Sequence, residues 1–245
     1  MIKKVLVMLL LFVMGTVGVQ ALTVTYVTDL FIDTPTISKG YTVRSNDQNF
    51  NLGIYPEVLA MQTRVVVKQY DKDEFDYPEG WTAVSNVYEF DIFNKDAFQD
   101  EKPLTIRIKT EETKQLKKMF FYNKVITKWV ELPSKTKDLE TIDSILHLPY
   151  AKMVVLANDD IIEIGDASWY AYKGCACAAS PDYAKGTVLE VIDLDTDKQI
   201  EVVVNDYGPD RSIHPNRVID LDKVAFSELG WLGSGILHNI LVRVK

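Results

Sequence analysis

The apolar side chains of this chain fall in short runs, not long stripes. Leu104-Thr105-Ile106-Arg107-Ile108-Lys109 alternates strictly, which puts its three apolar residues on one face of a strand. Runs rich in β-branched and aromatic residues at Leu22–Tyr26, Thr63–Tyr70, Val87–Phe93, Lys118–Tyr122, Thr127–Leu132 and Met153–Ala157 also read as strands. Turn clusters such as Pro78-Glu79-Gly80 and Pro133-Ser134 separate them. No long segment holds a 3.6-residue apolar period, so the class is all-β. The strands between 22 and 158 predict an antiparallel, Ig-like β-sandwich, and the polar run Asn158-Asp159-Asp160 marks the expected domain boundary. From 159 to 245, Gly165–Tyr170 leads into strands at Thr187–Ile192, Gln199–Asn205, Arg217–Leu221 and Ile236–Val244. Asp222 is a good N-cap, Val224, Ala225 and Leu229 share an apolar face, and Gly230 is a stop, which predicts one short helix. Strands this close together suggest a small closed barrel.

The first 21 residues read as an address. Lys3 and Lys4 precede an apolar stretch from Val5, and Val19-Gln20-Ala21 places small residues at a cleavage point; this is the layout of a secretory signal peptide. The apolar stretch is shorter than a membrane span requires, and no later segment is long and apolar enough for one. No cysteine stands at the cleavage point, so the expectation is a secreted or cell-envelope protein that is not a lipoprotein.

Composition narrows the partners. The 245 residues carry 27 basic and 35 acidic side chains, a net charge of −8, and both halves have an excess of acid. Phosphate binding needs a positive footprint, and no basic run exists, so no nucleic-acid partner is expected. Two cysteines are too few for a disulfide scaffold, and three histidines are too few for a histidine-rich metal site. No metal and no cofactor are expected.

The second half carries a series of motifs: Ala167-Ser168-Trp169-Tyr170, Gly186-Thr187, Asn205-Asp206-Tyr207-Gly208-Pro209, Arg217-Val218-Ile219-Asp220-Leu221, then Ala225 and Leu229-Gly230. Their order and spacing resemble the RlpA-like (rare lipoprotein A) family, over residues 165–245. The resemblance implies a six-stranded double-psi β-barrel, distantly like expansins and barwin-like proteins. It also implies a lytic transglycosylase that cuts peptidoglycan glycan strands lacking stem peptides. Lytic cleavage needs a carboxylic acid to protonate the glycosidic oxygen and then, as carboxylate, to take the proton of the sugar's own 6-hydroxyl. Asp206, at a strand exit before Gly208-Pro209, matches the family's catalytic acid and is the expected general acid/base. Asp220 matches the position essential in expansins and is the second catalytic candidate; a local structural role, capping backbone or pairing with Arg217 or Arg211, is the alternative. For Asp206 the alternative is an Asx-turn. Trp169, Tyr170, Ser180, Asn205, Tyr207 and Arg217 are the expected substrate-binding residues.

The chain departs from the family pattern between Cys175 and Lys185. Active members have a Thr-Ala-Ser/Asn-Gly-Glu segment and an Ala-Ala-His segment there; this chain keeps Ala179-Ser180 but has neither the Glu nor the His. A non-catalytic, expansin-like glycan-binding module is therefore the alternative function, and a module docking another envelope protein is a third. Other residues read as structural. Cys175 and Cys177 are too close in sequence for an easy bridge to each other and read as small buried thiols. Asp193, Asp195 and Asp197 lack the glycine and glutamate of a calcium loop and read as a hairpin turn. Trp81, Trp129 and Trp231 read as packing, and His214 as a solvated loop residue.

Overall fold

The computed structural model describes residues 22–245; the leader expected at 1–21 lies outside the described residues. The chain is mostly strand. Thr63–Tyr70, Leu104–Lys109 and Ile236–Val244 have the limits that alternation predicts. Phe50–Ile54 and Tyr41–Arg44 are strands that the sequence reading missed. Phe50-Asn51-Leu52-Gly53-Ile54 alternates, but Asn and Gly are poor strand formers, and pairing with Tyr41–Arg44 on one side and Leu104–Lys109 on the other fixes it.

Two sheets face each other in the first half. One places Val24–Ile32, Thr63–Tyr70, Val87–Ile92 and the start of Tyr150–Tyr170 side by side, with Gln115–Asn123 and Lys128–Leu132 beyond. The other has five strands, in the order Ser134–Thr136, Thr141–Leu146, Leu104–Lys109, Phe50–Ile54, Tyr41–Arg44. Val65, Phe90 and Met153 of the first sheet share a core with Leu52, Ile106 and Ile142 of the second. Each such fully buried side chain stabilises by about 1.5–3 kcal/mol. Asp47, in the turn between Tyr41–Arg44 and Phe50–Ile54, pins the sheets together. It accepts from Ser45 Oγ at 2.5 Å, from Asn49 N at 3.1 Å and from Tyr88 Oη of the facing sheet at 2.7 Å.

Tyr150–Tyr170 is a single strand of 21 residues. It does not end at Asn158-Asp159-Asp160. Those residues form a bulge where pairing with Gln115–Asn123 lapses between Ala157 and Ile161, and Asp160 N donates instead to Asn158 Oδ1 at 3.1 Å. Beyond the bulge the strand enters a second set of pairings. These run through Arg217–Asp222, Cys177–Ala179, Gln199–Asp206, Val188–Asp193 and Ile236–Val244, which pairs back to Tyr150–Tyr170 and closes the sheet on itself. Leu189, Val204, Ile219, Leu221, Ile240 and Val242 fill its interior with Ala225, Phe226 and Leu229 of the helix Lys223–Leu229.

The helix starts and stops where its residues predict. Asp222 Oδ1 accepts from Val224 N at 3.1 Å, and Gly230 N closes the end on Phe226 O at 2.9 Å. The two halves meet through a small apolar cluster, in which Ile162, Leu194 and Leu241 pack with Leu116 and Leu139. Lys114 reaches Glu163 across the same junction at 2.8 Å.

Candidate functional site

The barrel's register builds a row of four residues across adjacent strands. Ala179 pairs with Asp206 on one side and with Asp220 on the other, and Asp220 pairs in turn with Ser168. The two carboxylates therefore flank one small side chain, on backbones about 9.6 Å apart at the usual strand spacing. Gly208 folds back over the row: a Cβ there would lie 3.6 Å from Asp220 Oδ2 and 3.8 Å from the Ala179 side chain. Its φ of 139° is open to glycine and rare for other residues.

The two carboxylates sit in different surroundings. Asp220 is mostly shielded. It accepts a hydrogen bond from Ser168 Oγ, and Arg217 stands 3.9 Å away. Asp206 is exposed at the strand's end. Its Oδ1 accepts from Lys185 Nζ at 3.1 Å and from Tyr207 N at 2.9 Å. The Lys185 hydrogen bond, joined by the Tyr207 amide and the Lys185 charge, holds the Asp206 carboxyl below the usual carboxylate range. A general acid needs the opposite shift.

The structure brings most of the expected binding residues to this surface. Tyr170 Oη donates to Asn205 Oδ1 at 2.9 Å; burial first, then the Asp222 charge, pushes its phenol up. Tyr207, beside Asp206, is 76% exposed. Trp169, next to Ser168, is partly exposed and donates through Nε1 to Leu232 O at 3.0 Å. Ser180 is not at the surface. It is buried, and its Oγ accepts from Asp182 N and Tyr183 N, capping the turn after Ala179. Asp182 itself is engaged by Arg211 at 3.0 Å.

Two expectations are corrected. Trp231 is not packing but 79% exposed, with its ring lying over Gly233. Cys175 and Cys177 are joined in a disulfide. Cys177 N donates back to Cys175 O at 2.9 Å, a tight turn that brings the Cα atoms to 5.2 Å, within disulfide range. The two sulfurs and Asp222 are close enough to resemble a metal-ligand set. The disulfide occupies the sulfurs, however, and Asp222 spends its oxygens on Val224 N, Lys173 N and Gly174 N, so these donors do not fit a metal. Ser168, which donates to Asp220, enters the sequence reading only as part of a motif, and Lys185, which donates to Asp206, does not enter it as a site residue. A lysine 21 positions from its partner leaves no local signal.

Residues 163–241 match the family described as lytic transglycolase. They form an RlpA-like double-psi β-barrel domain. Among solved structures, the Streptomyces papain inhibitor is similar at 23% identity; the likeness covers 34% of this chain and 93% of that one, with a TM-score of 0.27. No curated protein matches the chain. Among the described residues no helix is long and apolar enough to cross a membrane.

Proposed function

We propose that this is an exported cell-wall protein whose six-stranded RlpA-like barrel binds peptidoglycan glycan strands along the row Asp206–Ala179–Asp220–Ser168. The supporting observation is the exposed aromatic ring of Tyr207 beside one carboxylate, with Trp169 and Trp231 as further exposed aromatics of the same barrel. Sugar rings stack on such faces, while Asn205, Ser168 and the two carboxylates offer partners to sugar hydroxyls. In this reading the first half is a sandwich domain of residues 22–158, and 159–245 is the glycan-binding domain.

Lytic cleavage is the second reading, favoured by the family match and by the two carboxylates in one row. Asp206 would protonate the departing glycosidic oxygen, then take the 6-hydroxyl proton as that oxygen closes on the anomeric carbon. Lys185 opposes the first step by holding Asp206 ionised, so cleavage requires a bound strand to displace it.

Incubating the full chain with purified glycan strands, with and without stem peptides, separates the readings. Binding predicts co-sedimentation that falls at least tenfold in Tyr207→Ala/Trp231→Ala and survives in Asp206→Asn. Cleavage predicts 1,6-anhydro-muramic ends by mass spectrometry, absent in Asp206→Asn. Neither retention nor product would exclude glycan as the ligand.

A further inference from the structure

A hollow of about 910 Å³ lies away from the barrel carboxylates, on the outer face of the five-stranded sheet. Four of its lining side chains are cationic, Arg44, Arg107, Lys109 and Lys135, and one, Asp143, is anionic. They come from four different strands. Register places Lys135 opposite Asp143, Asp143 opposite Arg107, Arg107 opposite Asn51, and Asn51 opposite Arg44. One row across the whole sheet thus reads cation, anion, cation, neutral amide, cation.

The first part of that row shows what the spacing accommodates. Asp143 sits between Lys135 and Arg107 and takes both arms of the Arg107 guanidinium, each at 2.7 Å. Asn51 holds the equivalent place between Arg107 and Arg44. Among the described residues Arg44 and Lys109 have no acidic partner within salt-bridge distance, although the chain as a whole is strongly acidic. Beside the row the floor is low and polar. Gly53 has no side chain, and Thr105 Oγ1 lies where its Cβ would go, 2.2 Å away; Thr42 flanks it in register. Tyr55, 59% exposed, forms part of the rim.

We propose that this hollow binds an acidic polysaccharide, seating a sugar carboxylate over Asn51 between Arg44 and Arg107. A planar carboxylate meets the guanidinium fork of Arg44 as Asp143 meets that of Arg107. The threonine hydroxyls and the Asn51 amide pair with sugar hydroxyls, and Tyr55 offers a ring face for stacking. Nucleic acid fits poorly: only two of the cations lack a protein partner, where a nucleic-acid interface neutralises about 6–10 phosphates. The site is independent of the barrel's role.

Calorimetric titration of the full chain with hexagalacturonate tests it, with neutral chitohexaose and a hexanucleotide as comparators. Hexagalacturonate is expected to bind, with at least tenfold weakening in Arg44→Gln. Asn51→Asp, which supplies the carboxylate from the protein, is expected to abolish binding while leaving the melting temperature unchanged or higher. No binding by the wild type would overturn the proposal. So would equal binding of the hexanucleotide, chitohexaose binding that Arg44→Gln weakens as much as it weakens hexagalacturonate, or hexagalacturonate binding within twofold of wild type in both folded variants.

Discussion

At the scale of single residues, neighbours decide what each carboxylate can do. Asp206 and Asp222 end the two strands that flank Cys177–Ala179 in one barrel, yet one is exposed against a lysine and the other is buried under three backbone amides. Because the Lys185 hydrogen bond is the largest cause lowering the Asp206 pKa, Lys185→Met should move its titration midpoint upward, toward the ordinary carboxylate value. Carboxyl-carbon NMR of the labelled protein would show it, and an unmoved midpoint would mean that the ion pair does not hold in solution. If the barrel cleaves glycan, the same substitution should carry activity to higher pH. For Asp222, burial pushes its pKa up, but the Val224, Gly174 and Lys173 amides together bring the net below the ordinary range. Asp222→Ala should cost about 2–3 kcal/mol, combining a lost N-cap with unsatisfied loop amides, measured by urea unfolding. Alternation and capping chemistry made Asp222 legible in the sequence as a cap; Lys185 was not, because only the turn after Ser180 swings it onto Asp206.

At the scale of elements, the same distinction separates the strands that could be read from those that could not. Leu104–Lys109 carries its own alternation, whereas Phe50–Ile54 depends on partners on both sides. The turn that delivers Phe50–Ile54 is held by Asp47. Burial raises the Asp47 pKa, but hydrogen bonds from Ser45, Tyr88, Asn49 and Asn86 outweigh it and leave the pKa lowered. A carboxyl with a lowered folded pKa stabilises above its unfolded pKa, and that contribution is lost as pH falls through the folded value. Asp47→Asn should therefore cost about 1–3 kcal/mol near pH 7, with the difference from wild type shrinking below about pH 4. Chemical denaturation across pH 2.5–7 would show whether the gap closes. A gap constant with pH would mean that the charge contributes nothing beyond the turn's shape.

At the scale of the whole molecule, one strand belongs to both halves. Tyr150–Tyr170 gives Met153 and Val155 to the first core and Ala167 to the second, with Ile162 in the small cluster between them. Continuity of a buried strand couples the halves, because its pairing in the barrel cannot persist while its neighbours in the first sheet separate freely. Ile162→Ala, at a fully buried position, should cost about 2–5 kcal/mol and lower the unfolding of both halves together. Fluorescence of Trp129 and of Trp169, each followed in a variant lacking the other tryptophans, should give one shared transition. Two separate midpoints in the wild type would show that the bulge at Asn158–Asp160 uncouples them.

The strand-rich class, the capped helix and the RlpA-like motif block are legible in the sequence, because alternation, capping residues and motif spacing are local properties of the chain. The sequence also pointed to Asp206 and Asp220 as the carboxylates to examine, because each lies in one of those motifs. The folded arrangement is what brings Asp206 to Lys185, buries Ser180 and joins the two cysteines. It alone assembled Arg44, Asn51, Arg107, Asp143 and Lys135 into one row, from residues scattered over almost a hundred positions with no basic run among them. The reason is physical: a charge's effect depends on what stands within a few ångströms, and in a sheet those neighbours come from register across strands, which the order of residues along any one strand does not contain.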